Sequence, residues 1–261
     1  MKNEGKLKED EMIHFLNNHK VSDLSQNLYS MLRILYGVLD PDSIVKCEYG
    51  IENTKPDFVI TIDGKSKYVS MKSGRAICVH GEQIQTFIPF LRSIGVSKDT
   101  LRTILLYHFG DGTLDGSGKE RWTADFTTTK YRNLLVAANE ELNHPDIAWQ
   151  IMERMLFVGV DPEVPPADSI YFGDYSYGAI ATKKQIYKRF QRDLNRWRNL
   201  RNIHVGPIIF KPQARYAGEP VRNEKSRNRI IATWINLRED IEYISRHYDS
   251  YTPIRHRTYE E

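Results

Sequence analysis

Leu24, Leu28, Leu32 and Leu35 recur at near-helical spacing, and Ser22 stands where a cap is needed. They predict a helix over 22–39, preceded by another over 9–19. "DPDS" (40–43) breaks the chain, and "IVKCEYGI" (44–51) reads as a strand. "DFVITI" (57–62) and "KYVSMK" (67–72) then follow as two short strands joined by Asp63-Gly64, a pair that favours a two-residue hairpin turn. Ile84, Phe87, Ile88 and Leu91 form one stripe and predict a helix from Glu82 to Ile94, with Pro89 as a kink or an early end. "LRTILLYHF" (101–109) reads as a further strand, closed by a glycine-rich loop. The element order helix, three strands, helix, strand is that of a mixed α/β (α+β) core.

The second half reads as more helical. Helices are expected over 127–143 and 145–158, the latter opening on Pro145 at a first helical position. "DPEVPPADS" (161–169) is a proline-rich linker, and "IYFGDYSYGAIAT" (170–182) is strand-like with glycine breaks. A basic helix over 183–201, a strand at "IHVGPIIF" and a helix over 225–247 complete the chain. The expected division is a core over 1–115 and a helical and mixed region over 116–261, not necessarily an independent domain.

Composition narrows the class. The chain has 261 residues and 40% hydrophobic positions, enough for a real core. No apolar run approaches the roughly 18 residues that cross a bilayer, and the charged N-terminus is no secretory signal. Cys47 and Cys78 stand in no metal-ligand spacing and are expected as two free thiols in a cytoplasmic protein. Charge is unevenly spread. Residues 183–229 carry fourteen Lys and Arg against Asp193, Glu219 and Glu224, which is +11. The remainder carries −8, the difference from +3 overall. That concentration suits a polyanion.

The hairpin holds the candidate chemistry. With Asp63-Gly64 as the turn, Asp57 stands directly opposite Ser70, and Lys72 shares their face. A carboxylate, a hydroxyl and an ammonium converge at one end of a strand whose other positions are apolar or uncharged. "PD" on one strand and "SMK" ending the next resemble the signature of the PD-(D/E)XK nuclease superfamily, over about residues 22–110. The resemblance implies a restriction-endonuclease-like core and phosphodiester hydrolysis with Mg²⁺, for which Mn²⁺ can substitute. By it, Asp57 binds the metal and Lys72 positions the attacking water and offsets charge on the transition state.

Ser70 departs from the pattern, since the family has Asp or Glu there. Some restriction endonucleases of the superfamily carry a serine at this point and take the carboxylate from the following helix. Glu82 is the corresponding residue here, expected in the first helical turn about 160° from Ile84. Glu48 on the preceding strand is the runner-up. Gln85 could hold a water or a phosphate, and His80 reads as a loop histidine. "GTLDGSGKE" fails as a phosphate loop, because Thr113 stands six positions before Lys119 and Glu120 follows it.

In the basic segment, Ile186, Phe190, Leu194 and Trp197 form one stripe, and Lys184, Lys188, Arg192 and Arg196 form a cationic row. Such a helix packs on a core and faces phosphates. Gln213, Arg215, Arg222, Asn223, Arg227 and Asn228 form a candidate recognition loop, since Arg and Gln/Asn read purine edges. The size and the built-in basic region resemble a type II restriction endonuclease, which implies double-stranded DNA as partner and a homodimer. The alternatives are a structure-specific, nicking or phage-defence nuclease of the same superfamily, or a catalytically inactive nucleic-acid-binding module.

Overall fold

The computed structural model describes residues 4–52, 54–74, 78–193, 201–213 and 224–247. Its first elements are α1 (Glu4–Leu16), a 3₁₀ turn (Val21–Asp23) and α2 (Gln26–Tyr36). The strands β1 (Lys46–Tyr49), β2 (Phe58–Ile62), β3 (Lys65–Lys72) and β4 (Cys78–Gln83) follow. Next come α3 (Ile84–Ser93), α4 (Lys98–Phe109), α5 (Ala124–Lys130), α6 (Arg132–Leu142) and α7 (Pro145–Glu153), which runs into a π-helical turn, Arg154–Val158. β5 (Ser169–Gly173), β6 (Gly178–Thr182) and α8 (Lys183–Asp193) precede β7 (His204–Val205) and β8 (Ile208–Pro212). The last elements are α9 (Glu224–Arg227), β9 (Arg229–Trp234) and α10 (Leu237–His247).

These elements form two interleaved units, and the chain passes between them four times. The first comprises Met1–Gly74, Ala167–Arg192 and Arg238–Glu261, and the second Arg75–Pro166 and Asp193–Leu237. A single division near residue 115 therefore does not describe the chain.

The first unit is built on a mixed sheet of order β1-β2-β3-β5-β6. β1, β2 and β3 are antiparallel neighbours, whereas β5 runs parallel to β3. The β2–β3 register is the one the turn predicts, with Phe58 opposite Val69 and Ile62 opposite Lys65. Asp63 and Gly64 both have positive φ, 49° and 74°, as a primed two-residue turn requires. Phe58, Ile60, Ile62, Val69 and Met71 point to one face and pack with Met12, Leu16, Leu28 and Leu32 of α1 and α2. Each such side chain contributes about 1.5–3 kcal/mol by leaving water. α2 starts at Ser25, whose hydroxyl accepts from the Leu28 N–H, so the cap is Ser25 and not Ser22.

The second unit has an antiparallel sheet of order β4-β9-β8-β7. Three expectations change here. Residues 101–109 are helix α4 and not a strand: Ser97 caps the start, and Gly110 closes the end in the left-handed conformation. Its β-branched and aromatic residues imitate a strand locally, but Leu101, Ile104 and Tyr107 bury one helical face. The strand running parallel to β3 is instead β5, far along the chain. The helix expected over 225–247 is α9, β9 and α10: Ile230 and Trp234 lie in β9, which is flanked on both sides by β4 and β8. Ladder hydrogen bonds on both edges outweigh the helical spacing of those residues. Finally, residues 78–83 form β4, so α3 begins at Ile84 and continues through Pro89 to Ser93.

No helix among the described residues is long and apolar enough to cross a membrane. Cys47 is buried and Cys78 exposed, both as free thiols.

Candidate active site

The sheet of the first unit places three of the expected residues at one end. Asp57 lies just before β2, its N–H donating to the Val69 carbonyl at 2.9 Å and its carbonyl accepting from the Gly50 N–H at 3.0 Å. It is thereby fixed between β1 and β3. Gly50 is required for that approach, because a Cβ there would lie 1.9 Å from the Pro56 carbonyl oxygen.

The Asp57 carboxylate is held through a single oxygen. Oδ2 accepts from Ser70 Oγ at 3.1 Å, from the Met71 N–H, and from Lys72 Nζ at 3.4 Å. Among the described residues Oδ1 accepts no hydrogen bond. Ser70 is 2% exposed, so its hydroxyl acts as an internal brace for Asp57. The Lys72 ammonium also donates to the Met71 carbonyl at 2.9 Å. The Asp57 and Lys72 side chains are 21% and 19% exposed. A small solute can reach them, yet their charges act in a medium less screening than water.

Two further carboxylates belong to the same unit. Glu48 lies on β1 opposite Val59, and so shares a sheet face with Asp57 as its diagonal neighbour, about 7–8 Å away by strand geometry. It is exposed, and among the described residues it forms no hydrogen bond or ion pair. Glu9 on α1 was not anticipated. Burial, and then the nearby Asp57 charge, raise its pKa above the ordinary carboxylate value, while Lys6 and Lys72 act in the opposite direction. Its Oε2 accepts from Lys6 Nζ at 3.2 Å. Glu9 therefore feels both Asp57 and Lys72. No spacing in the sequence links it to the hairpin, because only the packing of α1 on the sheet brings them near. Among the described residues no group of three His, Cys, Asp or Glu side chains is arranged to hold a metal ion.

Glu82 differs from its expectation. It belongs to the second unit and stands on β4, not in the first turn of a helix. Its carboxylate is occupied on both oxygens: Arg154 Nε reaches Oε1 at 3.1 Å and Arg154 Nη2 reaches Oε2 at 2.8 Å. His80 Nε2 is 3.3 Å from Oε1. Burial alone would raise the Glu82 pKa, but hydrogen bonds from His80 and Arg154 outweigh it and hold the group below the usual range. The Arg154 guanidinium also lies 4.5 Å from the Phe90 ring centroid. His80 is thus a strand residue tied to a buried ion pair, and not a loop histidine. Gln85 is exposed on α3.

The basic segment divides similarly. On α8 of the first unit, Ile186 and Phe190 are buried, Lys184 and Lys188 are half-buried and Arg192 is exposed. Arg189 also lies inward, its guanidinium 4.7 Å from the Tyr243 ring centroid. Gln213 is exposed beyond β8. Arg196, Arg215, Arg222 and Asn223 lie outside the described residues, as do Leu194 and Trp197.

Arg227 is not placed for reading bases. Its Nη2 donates to Asp111 Oδ2 at 2.9 Å and to the Gly118 carbonyl at 3.0 Å. The Asp111 side chain is fully buried. Arg227 therefore pins the glycine-rich loop, within which Asp111 also accepts from Thr113 and Gly118. This is a structural loop braced by a buried ion pair.

No protein-family profile matches the chain, nor does any curated protein or any solved structure.

Proposed function

We infer that the first unit carries a metal-dependent phosphodiesterase site of the PD-(D/E)XK kind, acting on double-stranded DNA. The observation that carries this reading is the convergence of Ser70 and Lys72 on Oδ2 of Asp57 across β2 and β3. Three antiparallel strands followed by β5 parallel to β3 support it, as does the cationic row on α8.

The donor set suits Mg²⁺. That ion takes one or two carboxylates and keeps several waters. Asp57 offers Oδ1, and Glu9 or Glu48 offers the second carboxylate from the same unit. Glu82, whose oxygens are held by Arg154 and His80, is not part of this proposal. A bound divalent cation would polarise the phosphate and make its own water a better nucleophile at neutral pH. The protein's part is electrostatic and positional. As water oxygen bonds to phosphorus and the bond to the leaving sugar oxygen breaks, negative charge accumulates on the non-bridging oxygens. The Lys72 ammonium, held in place by Asp57 and the Met71 carbonyl, offsets that charge without reorganising. Ser70 and the Met71 N–H keep the Asp57 carboxylate from rotating.

Within this class, a homodimeric type II restriction endonuclease is the finer proposal, with Lys184, Lys188 and Arg192 as phosphate contacts. Incubating the full chain with plasmid and Mg²⁺ separates the cases. Discrete fragments support restriction, whereas nicking or smearing supports another nuclease of the class. Ser70 in place of a carboxylate favours one second reading, a nucleic-acid-binding module without catalysis. DNA binding with no cleavage under Mg²⁺ or Mn²⁺ would establish it.

A further inference from the structure

The first unit has a polar concavity at the end of its sheet opposite Asp57 and Lys72. It is an open-sided cavity of about 250 Å³ with Ile34 and Leu35 of α2 in its wall. Lys67, Lys183 and Lys184 line it, together with Asp168 and Thr182. Lys67 precedes Lys72 by five residues on β3, about 17 Å along a strand, so this cavity is distinct from the Asp57 site.

Its lining carries an excess of lysine: Lys67 and Lys184 stand beside Lys183 and a single carboxylate, Asp168, whose Oδ2 accepts from the Tyr68 N–H at 2.9 Å. Among the described residues neither Lys67 nor Lys184 forms an ion pair. Like charges converging on a half-buried concavity repel one another, and an anion between them relieves that repulsion. α8 begins at the rim, with Thr182 and Gln185 capping each other. The field of its N-terminus adds to the lysines. The apolar wall suits the carbon skeleton of a ligand, and the volume of about 250 Å³ with an open side admits a phosphate group while the rest of its carrier extends outward.

We propose that this cavity is a phosphate-binding site. It takes the phosphate of a small phosphate monoester, such as a nucleoside 5′-monophosphate, or the terminal phosphate of a nucleic-acid strand. The proposal shares Lys184 with the DNA contacts proposed above, whereas Lys67 and Asp168 belong to this cavity alone, so the Lys67 and Asp168 variants test it apart from that reading.

Calorimetric titration of the full chain in EDTA tests it. The probes are adenosine 5′-monophosphate and a short oligonucleotide with and without its 5′-phosphate. Saturable binding is expected, weakened about tenfold by Lys67→Ala and by Lys184→Ala, the scale of one charge-assisted contact. Asp168→Asn keeps an acceptor for the Tyr68 N–H and removes the one negative charge, so it should tighten binding. Lys65→Ala, on the same hairpin but outside the cavity, should leave it unchanged. Lys67→Gln repeats the test with a side chain closer in length, and thermal unfolding of each variant checks that it folds. Binding of the monophosphate identifies a small ligand, and dependence on the 5′-phosphate identifies a strand end. Absence of saturable binding to every probe, or equal affinity in the wild type and the folded Lys67 and Lys184 variants, would overturn the proposal.

Discussion

Ser70 faces Asp57 across the β2–β3 hairpin and donates its hydroxyl to Oδ2 at 3.1 Å. A serine at the place of an expected carboxylate thus braces the first carboxylate and does not replace a second. Ser70→Ala removes that brace and should cost about 1 kcal/mol of stability, read by chemical denaturation. It should also raise the Mg²⁺ concentration needed for half-maximal cleavage. Ser70→Asp supplies another acidic oxygen beside Asp57 and should lower that concentration.

Glu9 gives a pH signature. Its pKa is raised by burial and then by Asp57, so between the ordinary value of 4.5 and the raised one the folded chain holds more protons than the unfolded chain. Stability from this group therefore falls as pH rises through that window. Glu9→Gln should abolish that part of the decline, measured as denaturation midpoints against pH. If Glu9 also holds the cation, the same variant weakens Mg²⁺ activation, whereas Glu48→Gln leaves it intact. The reverse pattern assigns the role to Glu48.

Glu82 and Arg154 form a buried pair, and removing one partner strands the other. Arg154→Ala should destabilise the protein by about 3–5 kcal/mol. The Glu82 pKa is depressed, so the pair's contribution is present above about pH 4.5 and is lost as pH falls below it. Glu82→Gln should flatten that acid-side loss and leave the cleavage rate per folded molecule unchanged.

Arg227 is predicted to matter for stability and not for DNA affinity. Arg227→Ala leaves the buried Asp111 without its cationic partner, at a cost of about 3 kcal/mol. Thermal unfolding should shift down, while the affinity of the folded variant for DNA stays at the wild-type value.

The hairpin was legible because its determinants are local. Asp63-Gly64 sets the register, and the register sets which side chains share a face. The helices α2 and α8 were legible from their apolar stripes, and the α4 region was misread because its Thr, Ile and Leu run carries no local mark of which period wins. β9 and β5 depend on partners far away in the chain, so Ile230 and Trp234 could be read as a helical stripe. The same limit governs the site. Asp57, Ser70 and Lys72 lie within 16 residues of sequence. The coupling of Glu9 to Asp57, and of Glu82 to Arg154, arises only from tertiary packing.

Cleavage of supercoiled plasmid by the wild type, Lys72→Ala and Asp57→Asn, each with Mg²⁺ and with EDTA, bears most directly on the central claim. The wild type should cut only with Mg²⁺. Both variants should fall at least ~100-fold, the scale of losing one preorganised electrostatic contact, with DNA binding and unfolding temperature retained. Cleavage by Lys72→Ala at the wild-type rate, or none by the folded, DNA-bound wild type, would contradict it.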